Sequence, residues 1–276
     1  MNRLPLSIRA MLAMDRAIRR GQTLVSRVRE EIFLSWVPPS LRESVTFRIY
    51  EQYSPQSGDK CSQEYPRELF TWEQELFTLE PFPTRGRVLL GAAGGGRELR
   101  WLADRGYEVL AFEPSDLVKD AAQVAASRPK TRVVRASYRE LVLGLESGDG
   151  PLAEPCAEGS FDAVILGWGS LSHVCESLER ARLFDALRHR WPTAPIFVSF
   201  FLRRGEAENL VPVRLRLRRF FSFLGAPGRP ANGLRFFHES GFAYAFTVDE
   251  IRQLASDSGY SIARLQEAPY PHAVFV

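Results

Sequence analysis

Residues Arg87 to Pro114 read RVLLGAAGGGRELRWLADRGYEVLAFEP. The stretch opens on Val88-Leu89-Leu90, a short apolar run of the kind that makes a strand buried on both faces. A turn of small residues follows, Gly91-Ala92-Ala93-Gly94-Gly95-Gly96. Leu99, Leu102 and Ala103 then recur at helical spacing, and Gly106 closes the helix. Val109 to Phe112 is a second apolar strand, and it ends on an acid, Glu113. The pattern is a β-α-β unit, with glycines at the carboxyl end of one strand and a carboxylate at the tip of the next. Small residues let backbone N–H groups and a helix N-terminus come close to a polar ligand. Glu113 lies 19 residues after Gly94, close to the ~20-residue spacing at which such an acid accepts hydrogen bonds from ribose hydroxyls. The unit predicts a pocket for a nucleoside-bearing ligand.

The glycine spacing narrows the nucleoside. In the G-x-G-x-x-G dinucleotide fingerprint the third glycine sits where helix and strand pack closely. Counted from Gly94, that position is Leu99, which disfavours a nicotinamide or flavin oxidoreductase. No lysine follows the glycines, so the stretch is not a phosphate-binding loop of the G-x-x-x-x-G-K-S/T type. It resembles the first motif of class I S-adenosylmethionine-dependent methyltransferases, a V-L-x-L-G-x-G-x-G run. Ala92, Gly94 and Gly96 take the three small positions, Arg97-Glu98 follow, and Leu90 stands where that family usually carries Asp or Glu. A second resemblance is Phe161-Asp162-Ala163-Val164-Ile165-Leu166, similar to the family's fourth strand, with Gly167-Trp168-Gly169-Ser170 at its tip.

The resemblance covers roughly residues 85–204 and 246–276. It implies an α/β fold, a seven-stranded, mostly parallel, doubly wound sheet, binding S-adenosyl-L-methionine at the strands' carboxyl ends. It also implies cofactor-binding roles for Gly91, Ala92, Gly94, Gly96 and Glu113, and for Ser137, Tyr138, Gly167 and Trp168 further along. Ser137 follows the third strand, Thr131 to Arg135, where it reads equally as an adenine contact or as a helix cap. His173 falls in the helical segment Leu171 to Leu187; its imidazole suits removal of a proton from a hydroxyl or amine acceptor. The activity expected is methyl transfer to a small-molecule acceptor. The alternatives are a non-catalytic binder of the same fold, an oxidoreductase, or a peripheral membrane or scaffold protein organised by its N-terminus.

Composition bounds the rest. At 276 residues the chain can bury a full core. A net charge of +3 is too small and too dispersed to argue for a nucleic-acid partner. The three cysteines, Cys61, Cys156 and Cys175, form no CxxC pair, and the four histidines make no metal-ligand spacing. A reducing cytoplasmic location without a structural metal is the expectation. No apolar run reaches the ~20 residues that span a bilayer.

Residues 7–35 read as an arginine-rich amphipathic helix ended by Pro38-Pro39. Its stripe, Ile8, Met11, Leu12 and Ile18, continued by Leu24, Val25, Val28 and Ile32, is expected to pack on the domain or on a second copy of the chain. Residues 1–80 are read as a helical extension and lid. Residues 81–276 are the binding domain, with an insertion at about 203–240. Tyr50, Tyr53 and His238 are the substrate-pocket candidates. Gly144 to Gly159 reads as a mobile loop. Arg214, Arg216 and Arg218 alternate with Leu215 and Leu217, which fits an edge strand or one side of a helix with a solvated face. Thr247 and Glu250 form a capping box at the start of a last helix, and two strands close the chain.

Overall fold

The computed structural model describes residues 21–53 apart from Thr23, residues 68–203, and residues 211–276 apart from Arg229. The side chains of Tyr53 and of residues 211–213 lie outside the description. Ile8, Met11, Leu12 and Ile18 fall outside the described residues.

The quoted stretch forms strand β1 (Arg87–Gly91), helix α4 (Arg97–Asp104) and strand β2 (Glu108–Phe112). Three helices precede it: α1 over residues 24–36, α2 (Pro39–Tyr53) and α3 (Thr71–Leu76). After it come α5 (Val118–Ala126), β3 (Thr131–Val134), α6 (Tyr138–Ser147), α7 (Ala153–Ala157) and β4 (Ala163–Leu166). A 3-10 turn (Ser170–His173), α8 (Ser177–Arg190), β5 (Ile196–Ser199) and β6 (Phe201–Leu202) follow. The chain continues through α9 (Val211–Phe223), β7 (Leu234–Phe237), β8 (Gly241–Phe246) and α10 (Val248–Asp257). It closes on β9 (Ile262–Gln266) and β10 (His272–Phe275).

Seven strands form one sheet in the order β3-β2-β1-β4-β5-β10-β9, with β10 the antiparallel member. Side chains alternate across it, as a two-residue period requires. Leu89, Leu110 and Val164 enter one core, while Val88, Leu90, Val109 and Ile165 enter the other. Burial on both faces is why these strands read as continuous apolar runs. The chain runs outward from β1 to β3, then returns to lay β4 on the opposite side of β1. The carboxyl ends of β1 and β4 therefore flank the switch point at which such sheets hold ligands.

Several expectations hold. Thr247 caps α10 by accepting from Glu250 N at 3.1 Å, and Glu250 Oε2 accepts in return from Thr247 N at 2.7 Å. Others are corrected. The sequence pattern Ala194 to Phe201 reads as one continuous fifth strand, but β5 stops at Ser199, and β6 pairs with β8 in a second sheet, ordered β6-β8-β7. The segment expected to be a loop from Gly144 to Gly159 is largely helical, with 144–147 in α6 and 153–157 in α7. Gly144 lies inside α6, and a Cβ there would sit 3.1 Å from Ala153 N, so the glycine permits α6 and α7 to touch.

The arginine-bearing insertion is helix α9, and its charges are not all solvated. Arg214 is 6% exposed, and its Nε donates to Glu31 Oε1 at 2.6 Å; Arg218 Nε donates to the other oxygen at 2.8 Å. Glu31 itself is fully buried. The face of α1 turned inward is therefore Glu30, Glu31, Leu34 and Ser35, whereas Leu24, Val25 and Ile32 are exposed. Of the expected stripe, Leu24, Val25 and Ile32 do not pack on the domain. A carboxylate held by two guanidinium groups can be buried, and that pairing orients the helix more strongly than three isolated aliphatic side chains. Among the described residues no helix is long and apolar enough to cross a membrane.

Candidate functional site

The turn after β1 adopts a backbone that few residues tolerate. Ala92, Gly94 and Gly96 have φ values of 52°, 52° and 86°, in the left-handed region where a Cβ is penalised. The turn is closed by Ala93 N donating to Phe112 O at 3.0 Å and Gly96 N donating to Ala93 O at 2.9 Å. The two glycines serve different ends. Nothing lies within 4 Å of a Cβ built at Gly94, which opens onto a cavity. A Cβ on Gly96 would lie 3.1 Å from Ala121 Cα and 3.2 Å from Val124, so this glycine lets α4 pack on α5.

Glu113, at the tip of β2, is 6% exposed and faces the same cavity. Its Oε2 accepts from Gly94 N at 2.9 Å, and its Oε1 accepts from Ser115 N at 2.9 Å and Ser115 Oγ at 2.5 Å. A carboxylate has about four lone-pair sites, so one on Oε2 stays available for a ligand hydroxyl. The acid and the glycine turn are thus bonded to each other as two sides of one recess.

The cavity has a volume of about 550 Å³, within the range that encloses a ligand of small-cofactor size. The turn and Glu113 form one end. Tyr138, Trp168 and His173 line it farther along, and α2 covers it with Arg42, Phe47 and Tyr50. Tyr138 is half-buried, and its hydroxyl meets Ser170 Oγ at 2.6 Å; desolvation raises its pKa and keeps the phenol protonated. Trp168 is 37% exposed and stands edge-on to Phe70, with the Arg97 guanidinium 5.2 Å from its ring centre.

His173 is held at Nδ1 by Phe242 O at 2.9 Å. A carbonyl oxygen only accepts, so Nδ1 carries the proton and Nε2 keeps its lone pair. Burial pushes the imidazole pKa below its ordinary value, an effect the hydrogen bond to Phe242 opposes in part. The ring is therefore neutral at neutral pH. Tyr50 stands edge-on to it, 5.6 Å between ring centres.

Other sequence-derived candidates fall elsewhere. Gly91 and Gly167 do not line the cavity: Gly167 N donates to Gly91 O at 2.9 Å, and a Cβ on Gly91 would meet Phe112 and Tyr138 at 2.8 Å. They are close-packing glycines beneath its floor. Ser137 does not line it either; it caps α6, accepting from Glu140 N at 3.3 Å while Glu140 Oε2 accepts from Ser137 N at 2.8 Å. His238 is exposed and lies 3.1 Å from Glu239, outside the cavity wall, because the β7–β8 turn carries it to the surface.

Two groups of wall residues had no singled-out role in the sequence. Arg42 on α2 is 3% exposed and donates to Glu176 Oε1 at 2.5 Å, which ties the covering helix to the segment before α8. A pair 134 residues apart leaves no local signal. The other group is Arg97 and Glu98, joined by Glu73 of α3, which does not itself line the cavity. Arg97 Nη2 donates to Glu73 Oε1 at 2.6 Å and to Glu98 Oε1 at 2.8 Å. Burial, and then the neighbouring Glu98 charge, push the Glu73 carboxyl up to about 7.

The architecture matches that of solved methyltransferases. A 1,6-didemethyltoxoflavin-N1-methyltransferase of Burkholderia thailandensis, solved with 1,6-didemethyltoxoflavin and S-adenosylhomocysteine, aligns over 86% of this chain and 87% of its own, at 18% identity and a TM-score of 0.56. Magnesium protoporphyrin IX methyltransferase from Synechocystis, solved with S-adenosylmethionine, aligns over 85% of this chain and 95% of its own, at 15% identity and a TM-score of 0.49. No protein-family model matches the sequence, and no curated protein is significantly similar to it. Strand order, switch point and glycine turn together place the chain in the class I methyltransferase fold.

Proposed function

We propose that the protein is an S-adenosyl-L-methionine-dependent methyltransferase acting on a small-molecule acceptor. The observation that carries this reading is the bonded pair of Gly94 and Glu113 at one end of a 550 Å³ cavity over the switch point. The residues present fit such a cofactor. Glu113 retains acceptor capacity for a ribose, Ala92 and Gly94 admit close approach of a ligand, and buried Arg97 Nη1 has no hydrogen-bond partner among the described residues. The likeness of fold supports the same cofactor.

When bound, the cofactor supplies an electrophilic methyl group on sulfur. The protein's own task is then to hold an acceptor lone pair in line and to exclude water, worth up to ~7–11 kcal/mol in favourable cases. His173 Nε2 takes the acceptor's proton, since its neutral form is the one present and its tautomer is set by Phe242 O. Trp168 and Tyr50 form the walls between which the acceptor sits. Helix α2 acts as a cover, clasped over the cavity by Arg42 and Glu176. The test is calorimetric titration with S-adenosylhomocysteine followed by an acceptor panel assayed for methyl transfer. Absence of cofactor binding in the wild-type chain defeats the proposal. Binding without turnover on any acceptor would leave a non-catalytic binder of the same fold.

A further inference from the structure

Helix α9 is folded inside out. Its 13 residues include four arginines and no acid. Two of the arginines, Arg214 and Arg218, turn toward the fully buried Glu31 of α1, and that pairing fixes the rotation of the helix about its axis. Arg216, Phe220 and Phe223 then share a stripe on the opposite side, because residues three and four apart lie on one face of a helix. Phe223 is 87% exposed, and Leu215, Phe220 and Leu224 are exposed as well. Of the three phenylalanines of α9 only Phe221 is buried. A helix that only packs on its own domain shows the reverse order, apolar side chains inward and charges outward. Helix α1 is turned over by the same pairing: Glu30 and Glu31 are buried, while Val25, Ile32 and Trp36 are exposed.

The outward face of α9 also has a sign. Arg216 and Arg219 are exposed and make no ion pair among the described residues. Grouped apolar side chains left open to solvent mark an interaction surface, and here the occupant must offer apolar cover and negative charge together. A second copy of the chain meets only the first need, since a symmetric contact through α9 sets arginine against arginine with no acid between them. A nucleic acid meets only the second, and two cations are too few to hold it. A bilayer containing anionic lipids meets both: acyl chains lie just beneath the headgroups, and the phosphates sit at a depth that arginine side chains reach.

We propose that α9 docks the protein on the surface of an anionic lipid bilayer. Phe220, Phe223 and Leu224 enter the headgroup boundary, and Arg216 and Arg219 meet lipid phosphates. The helix lies in the plane of the interface, with Arg214 and Arg218 held on its inner side by Glu31. Such docking is independent of the cofactor reading, because none of these residues lines the cavity.

The experiment is co-sedimentation of the full chain with two kinds of vesicle, phosphatidylcholine alone and equal parts of phosphatidylcholine and phosphatidylglycerol. The chain binds the mixed vesicles at least tenfold more tightly, and the difference narrows as salt is raised. Phe220→Ser combined with Phe223→Ser, and Arg216→Gln combined with Arg219→Gln, each lower binding to the mixed vesicles at least tenfold. All four positions are exposed, so both paired variants melt at the wild-type temperature, which reports that they are folded. No sedimentation of the wild-type chain with the mixed vesicles, equal sedimentation with both kinds, or unchanged binding in either paired variant overturns the proposal. Light scattering that finds a dimer, dissociated by the paired phenylalanine change, also overturns it by making a second copy the occupant.

Discussion

Replacing Gly94 and Gly96 by alanine, one at a time, separates the ligand-facing part of the turn from its packing part. Both glycines are in the left-handed region, with φ values of 52° and 86°, where a side chain costs roughly 1–2 kcal/mol. Loss of glycine's unfolded-state freedom returns about 0.4–1 kcal/mol. For Gly94 that is the whole account, because a Cβ there meets nothing within 4 Å; the net destabilisation is about 1 kcal/mol. For Gly96 the added methyl meets Ala121 Cα at 3.1 Å and Val124 at 3.2 Å, and Ala121 contributes backbone that cannot rotate aside. Overpacking of this kind adds about 1–3 kcal/mol, for a total near 3 kcal/mol. At about 2–4 °C per kcal/mol for a chain of this size class, Gly94→Ala lowers the melting temperature by a few degrees and Gly96→Ala by roughly 10 °C. Binding shows the reverse order: Gly94→Ala puts its methyl in the cavity and weakens S-adenosylhomocysteine, whereas Gly96→Ala retains affinity while folded. Thermal unfolding followed by circular dichroism, together with titration calorimetry, reads both quantities. Equal destabilisation of the two variants, or a binding loss confined to Gly96→Ala, refutes the division of roles.

Glu113→Ala strips the acceptor from Gly94 N, Ser115 N and Ser115 Oγ at once; calorimetry is expected to show at least a tenfold loss of S-adenosylhomocysteine affinity, and unchanged affinity would remove Glu113 from the site. His173→Asn keeps a donor for Phe242 O but removes the base, so cofactor affinity holds while turnover on an accepted substrate drops by about 10²–10⁴. Burial also lowers the pKa of His173 and of His272, so below pH ~6.5 the unfolded chain binds more protons than the folded one. Stability therefore falls as pH drops through that window, and melting curves from pH 7.5 to 5 show it; a flat profile contradicts the burial of both rings. Glu31→Ala takes from Arg214 and Arg218 the carboxylate they share and costs about 3 kcal/mol in denaturant titration. Leu24→Ser, on the exposed side of α1, stays within about 0.5 kcal/mol. Comparable effects of these two changes would restore the aliphatic stripe as the packed face.

Much of the fold could be read along the chain because its signals are local. Val88-Leu89-Leu90, Val109 to Phe112 and Ala163 to Leu166 are strands buried on both faces, and the capping box at Thr247 is complete within four residues. The glycine turn and Glu113 were legible for the same reason: a strand, a turn with positive φ and an acid one strand over are spaced by the geometry of a single β-α-β unit. Reading went astray where side chains far apart in sequence decide the outcome. The burial of Arg214 depends on Glu31, 183 residues away, so neither the charge of α9 nor the apolar stripe of α1 could be assigned a face. Gly91, Gly96 and Gly167 resemble Gly94 in sequence, and only the neighbours of their missing Cβ atoms separate packing glycines from the one that opens on the cavity.

The amino-acid sequence by itself determined the β1-α4-β2 unit, the fourth strand and the capped last helix, the position of the glycine turn and the acid that answers it. Each of these follows from periodicity and backbone preference over stretches of thirty residues or fewer. Tertiary structure alone decided what covers the cavity, which tautomer His173 holds, and how Glu73, Arg97 and Glu98 come to share one positive charge. Those depend on desolvation and on pairings between distant elements, and the free energy of a buried charge is set by what surrounds it in space.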